Sequence, residues 1–316
     1  MTKPVYRGRF APSPTGPLHF GSLVTALASY LDARHAAGQW LVRIEDLDPL
    51  RESSTAIIRI CDSLEAHGLI SDEPIRFQSQ RHDAYDTVIA GLLREHRAYR
   101  CRCSRKELRA HGGRHPNRCR ERPLPDTERL LPDTERPLPD TERPLPDTDS
   151  PHAIRFALQD QTAHWLDELL GPQVQSVQAE LDDPVIRRKE GFYAYQLAVV
   201  VDDIDQAITH VVRGSDLLPM TAQQQQIYQA LGHRPPHWLH IPVILNSQGQ
   251  KLSKQTHAPA LDDSRAGRNL WQALVALNQS PPVSLQTSAV ATILGWASDH
   301  WQPERIHRHS STGPVR

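Results

Sequence analysis

This 316-residue sequence predicts an α/β fold: a doubly wound parallel sheet with an insertion and a short helical C-terminal part. Three observations predict it. An extended stretch at residues 5–10 runs through a tight loop into an amphipathic helix. Further short apolar runs alternate with helical periodicity. Charged residues fall at the ends of those runs, the edge where open α/β sheets hold ligands.

The first element carries the most information. Its loop holds Pro12, Pro14, Gly16 and Pro17, and His19 and Gly21 arrive as the helix begins. Phe20, Leu23, Val24, Leu27, Ala28 and Leu31 recur at the 3.6-residue period that makes one apolar face. Strand, loop and helix start together place backbone N–H groups and a positive helix end against phosphates. The loop has neither a Gly-x4-Gly-Lys nor a Gly-x-Gly-x-x-Gly pattern, so a nucleotide here is gripped by another design. Residues 40–44 form the next strand and end at Glu45, and Cys61 reads as a packed core residue on the helix that follows.

Cys101, Cys103, His115 and Cys119 are spaced C-x-C-x11-H-x3-C. Three thiolates and an imidazole suit a closed, structural, tetrahedral zinc site; free buried thiols are the alternative, and His111 competes with His115 as the fourth ligand. From Arg100 to Arg122 nine Arg or Lys residues face only Glu107 and Glu121, a basic lobe suited to RNA phosphates. Residues 122–149 are then four near-copies of a Pro-rich heptad such as Arg-Pro-Leu-Pro-Asp-Thr-Glu. Their prolines remove backbone donors and exclude a continuous helix, so the segment reads as a disordered or polyproline-like excursion.

Strand patterning resumes at residues 153–158, and residues 165–171 suggest a further strand and turn. Residues 197–201 suit a buried parallel strand or a helix leading into one, and residues 208–216 a strand delivering Arg213 and Asp216 at its carboxyl end. Residues 223–231 read as a helix and 241–245 as a strand leading to Lys251-Leu-Ser-Lys254-Gln. Residues 270–277 and 290–296 look amphipathic. The formal net charge of −1 argues against indiscriminate nucleic-acid binding. It hides an asymmetry: the repeat has four arginines against eight carboxylates, −4, leaving +3 on the rest. No apolar run approaches the length of a membrane span, and four cysteines, three of them clustered, fit a cytoplasmic protein.

Arg9-Phe-Ala-Pro-Ser-Pro-Thr-Gly followed by Leu-His19-Phe-Gly-Ser22 resembles the glutamate-type class I aminoacyl-tRNA synthetases, whose His-Ile-Gly-His signature stands here as His19-Phe20-Gly21-Ser22. The lysine segment resembles their Lys-Met-Ser-Lys-Ser loop. With the cysteine spacing, the match extends to the glutamyl-queuosine tRNA(Asp) synthetases, whose zinc ligands are three cysteines and a tyrosine; His115 stands at the tyrosine position. The resemblance spans residues 7–257 apart from the repeat. It implies a Rossmann-type catalytic domain in two halves, residues 1–97 and 150–257, around a zinc-binding insertion at 98–121. The repeat and a helical segment at 258–316, with no anticodon-binding domain, complete the expected layout.

The activity implied is ATP-dependent, tRNA-independent activation of L-glutamate, with Mg2+, followed by esterification to the cyclopentenediol of queuosine in tRNA(Asp). A truncated synthetase charging an acceptor end and a non-catalytic zinc-and-RNA-binding module are the alternatives. A cytoplasmic monomer is expected. The resemblance puts glutamate against Arg9, Phe10, Ala11, Pro12, Ser13, Glu45, Tyr195 and Arg213, and ATP against His19, Gly21, Ser22 and Lys254. His19, Lys251 and Lys254 would be catalytic: an imidazole donates to phosphate oxygens as charge builds, and a lysine neutralises leaving pyrophosphate. Gly21 would let a flat purine approach the backbone.

Overall fold

The computed structural model describes residues 5–112, 114–116, 118–121, 151–252, 258–308 and 311–312. The repeat at 122–149 and Lys254 lie outside them. The chain runs β1 (Arg7–Phe10), α1 (Phe20–His35), β2 (Gln39–Ile44), α2 (Ser54–Ala66), β3 (Arg76–Phe77), α3 (His82–Arg94) and β4 (Ala98–Cys101). Next come α4 (Arg105–Ala110), α5 (Arg118–Glu121), β5 (Ala153–Phe156), β6 (Thr162–Asp167), β7 (Gly171–Ser176), α6 (Val177–Glu180) and β8 (Val185–Arg187). Then follow α7 (Tyr195–Asp205), β9 (His210–Gly214), α8 (Thr221–Ala230), β10 (His237–Ile241), β11 (Ile244–Leu245), α9 (Ala266–Ala276), α10 (Val290–Asp299) and β12 (Ser311–Thr312).

β1, β2 and β3 pair in parallel; β9, β10 and β6 do the same, with β7 antiparallel at the outer edge. The halves abut where Thr209 N donates to Arg7 O at 2.9 Å and Arg7 N to Thr209 Oγ1 at 2.8 Å. Alternation along the strands divides the core. Trp40, Val42, Ile44, Val212, Leu239 and Ile241 pack with α1, α9 and α10, while Leu41, Val211 and Trp238 pack with α3, α7 and α8. Successive side chains of a strand point to opposite faces, so both faces are covered by helices, as a doubly wound sheet requires. Each fully buried leucine of α1, such as Leu27 or Leu31, contributes about 1.5–3 kcal/mol.

The differences from expectation have local causes. Residues 241–245 are not one strand: Pro242, lacking an N–H, separates β10 from the short β11. Residues 197–201 take the second of their two readings, a helix (α7) leading into a strand (β9), and the strand and turn at 165–171 begin only slightly earlier, as β6, before β7. Cys61 is half-buried rather than core. β4, β5 and β8 make a separate antiparallel sheet in which Cys101 is registered with Ala153, so the two ends of the repeat-bearing segment are held side by side. No helix among the described residues is long and apolar enough to cross a membrane.

Candidate functional site

A cavity of about 630 Å³ opens at the carboxyl ends of β1 and β9, where the two halves of the sheet meet. It is lined by Arg9, Phe10, Ala11, Pro12, Ser13, His19, Gly21, Ser22, Glu45, Tyr195, Arg213 and Lys251. Every described residue that the sequence assigned to glutamate, ATP or catalysis is therefore in one place. Glu45 N donates to Pro12 O at 3.0 Å, tying the end of β2 to the loop after β1.

His19 is the N-cap of α1, and Ser22 N donates to its Nδ1 at 3.1 Å. A ring nitrogen that accepts carries no proton, so the neutral imidazole carries its proton on Nε2, as a donor. Ser22 contributes through its backbone, which a serine supplies as well as a histidine would. A Cβ on Gly21 would lie 3.3 Å from Cε1 and Nδ1 of His19, so glycine there also gives the cap room. Lys251 bridges to Leu245 of β11 and pairs with Asp216, just beyond β9.

Arg9 and Glu45, which line the cavity, belong to a buried cluster of charges that only folding reveals as a group. Arg9 pairs with Asp203 of α7 through Nε at 3.1 Å and Nη2 at 3.3 Å, and Arg43 Nη1 reaches the same carboxylate at 2.8 Å. Arg43 Nη2 lies 3.6 Å from Glu45 Oε1, which has no hydrogen-bond partner among the described residues. Burial pushes the Glu45 carboxyl up to about 7 against the lowering effect of Arg43 and Arg9. Desolvation pulls the Asp203 carboxyl upward, but Arg9 and Arg43 outweigh it and hold that carboxyl below the usual range. Tyr195 opens α7, and burial raises its phenol. Sequence reading missed Arg43, Asp202 and Asp203; their signal was a charge inside apolar runs, Leu-Val-Arg-Ile and Val-Val-Asp-Asp.

Arg213 differs from Arg9. No carboxylate among the described residues pairs with it, and burial lowers its pKa. Its guanidinium lies 4.5 Å over the Trp238 ring. One arginine is thus neutralised inside the protein, while the other keeps its charge for an incoming anion. An ammonium can meet Glu45, and a carboxylate can meet Arg213.

Away from the cavity, Cys101, Cys103, His115 and Cys119 offer ligand atoms within 4.8 Å of one another. His111 is not in this group: it is exposed at the end of α4, its ring Nδ1 2.9 Å from Glu107 O. Tyr99 OH donates to Asp183 Oδ2 at 2.8 Å and lies 3.2 Å from His115 Nδ1. Having given its one proton to Asp183, the phenol accepts from Nδ1–H, which leaves Nε2 as the ligand nitrogen. Burial, with the neighbouring Cys101 thiol, pushes the Cys103 thiol up to about 12. A cation removes that crowding by taking the sulfurs as thiolates, so the donor set fits tetrahedral zinc.

The family model for class I tRNA synthetases (E and Q), catalytic domain, matches residues 6–270. The chain is 44% identical over 303 residues to a Glutamyl-Q tRNA(Asp) synthetase of Ectopseudomonas mendocina, covering 96% of this chain and 95% of that protein. It is 44% identical over 316 residues to the protein of that name from Xanthomonas campestris pv. campestris, covering 98% and 96%. Among solved structures, a glutamate tRNA ligase from Elizabethkingia meningosepticum in complex with its amino acid matches with a TM-score of 0.77 at 26% identity. That match covers 98% of this chain and 67% of the ligase.

Proposed function

The chain belongs to the class I tRNA synthetases of the E and Q type, among the glutamyl-Q tRNA(Asp) synthetases, a family of ligases, and on that premise we propose that its cavity makes glutamyl-adenylate without tRNA. A carboxylate oxygen of glutamate attacks the α-phosphorus of ATP, displacing pyrophosphate. A hydroxyl of the acceptor then attacks the glutamyl carbonyl and releases AMP. Glu45 receives the substrate ammonium, Arg213 and Arg9 flank its carboxylates, and Tyr195 with residues 10–13 shapes the pocket. His19 Nε2–H, Gly21, Ser22, Lys251 and Lys254 serve the triphosphate, which enters with Mg2+. Most of the rate then comes from positioning and charge stabilisation.

The observation that carries this reading is the presence in one cavity of a buried carboxylate, Glu45, with one oxygen lacking a hydrogen bond among the described residues, and a buried arginine, Arg213, that no described carboxylate pairs with. The acceptor is the cyclopentenediol of queuosine in tRNA(Asp), with the basic insertion contacting RNA phosphate. Cys101, Cys103, His115 and Cys119 would hold one structural zinc, which braces that insertion. The test is transfer of labelled glutamate to tRNA(Asp) with and without queuosine. Transfer only to the modified tRNA supports the reading, and equal charging of both points instead to an acceptor end.

A further inference from the structure

We propose that His240 is a positioning residue for the carboxylate-binding arginine, setting the affinity of the cavity for glutamate while leaving Arg213 its full charge; this rests on the reading of Arg213 just given. His240 and Arg213 are direct cross-strand partners on β10 and β9, so the sheet register itself puts them side by side. His240 and Asp167 are both 0% exposed. Asp167 Oδ2 lies 2.6 Å from His240 Nδ1, and its Oδ1 accepts from Leu169 N at 3.1 Å and Leu170 N at 2.9 Å. A carboxylate only accepts, so Nδ1 carries the proton. Nε2 is then the acceptor for Arg213 Nε–H at 2.9 Å.

Among the described residues, the remaining partners of Arg213 are Gln224 Oε1 at 2.7 Å, Thr221 Oγ1 at 3.0 Å and Leu217 O at 3.4 Å. All four acceptors are uncharged. The guanidinium is held on several sides, yet the anion of the network, Asp167, stands one imidazole away from it. A carboxylate at position 240 would fix the arginine equally well and cancel the attraction it offers a substrate. A buried guanidinium left unneutralised rejects a neutral amide in favour of an acid, because only the acid completes it.

The experiment compares H240L, H240N and H240Q in glutamate-dependent ATP–pyrophosphate exchange, with thermal unfolding of each protein. Leucine removes the acceptor. Asparagine reaches only the Nδ1 position, keeping Asp167 and losing Arg213, so it tests the same loss if H240L folds poorly. The glutamine amide oxygen reaches Arg213. The expected result is a KM for glutamate raised about tenfold or more in H240L and H240N, with kcat and the KM for ATP within about threefold, and rescue by H240Q to within about threefold. An unchanged glutamate KM in H240L and H240N, an equal change in the KM for ATP, or H240Q as impaired as H240L would overturn the proposal. R213K separates the two claims: an unchanged glutamate KM there overturns the reading of Arg213 itself, however the His240 variants behave.

Discussion

Glu45 follows β2 with one carboxylate oxygen that has no hydrogen bond among the described residues, and burial raises its pKa to about 7. The charged form attracts a substrate ammonium and the protonated form does not. The KM for glutamate should therefore rise as pH falls below about 7, by up to about tenfold per pH unit, and E45Q should show a high, pH-independent KM. Stability carries the opposite sign. A carboxyl whose folded pKa is raised stabilises the fold below its ordinary pKa and loses that contribution as pH rises through about 7. E45Q should consequently melt above the native protein at pH 8 and lose that advantage near pH 4, measured by calorimetry. Arg9, Glu45 and Arg213 were legible in the sequence because each stands at a strand or motif end with a chemical task. Asp203 and His240 were not, because their partners lie 194 and 27 residues away and only the folded sheet brings them into contact.

Among the elements, the start of α1 puts His19, Gly21 and Ser22 on the cavity wall, where the proposed reading has them serve the triphosphate. A Cβ at residue 21 would press on the His19 ring at 3.3 Å, displacing the imidazole that caps the helix. Gly21→Ala should raise the KM for ATP about tenfold while changing thermal stability little, since alanine favours the helix by about 1 kcal/mol as the cap is strained. The strand–loop–helix unit and α9 and α10 were readable from periodicity. Residues 241–245 were misread as one strand, because a run containing Pro242 still looks apolar; they are the last residue of β10, a break and β11. The antiparallel β4–β5–β8 sheet was unreadable, since the repeat separates β4 from β5 in sequence while pairing holds them adjacent in space. Within that lobe, Cys101→Ser should abolish stoichiometric zinc by metal analysis and impair transfer to tRNA. Glutamate-dependent exchange should stay within about threefold, because a structural site supports its own lobe.

Among the described residues, the molecule is two half-sheets joined at β1 and β9, with the insertion on one side and the cavity at the seam. The segment 102–152 that contains the repeat starts and ends at the registered pair Cys101 and Ala153, so the length between them scarcely affects either half. Deleting two of the four copies should leave exchange and transfer unchanged; halving a loop alters closure by only about 0.6 kcal/mol. A large loss of turnover would show that the segment takes part. The proposed chemistry depends on the seam, because Arg9, Glu45 and His19 come from one half and Arg213 and Lys251 from the other. Exchange of labelled pyrophosphate into ATP, with L-glutamate and no tRNA, tests it most directly. The expected result is glutamate-dependent exchange that falls by orders of magnitude in K254A. Exchange that requires tRNA, or none at all from folded protein, would contradict it.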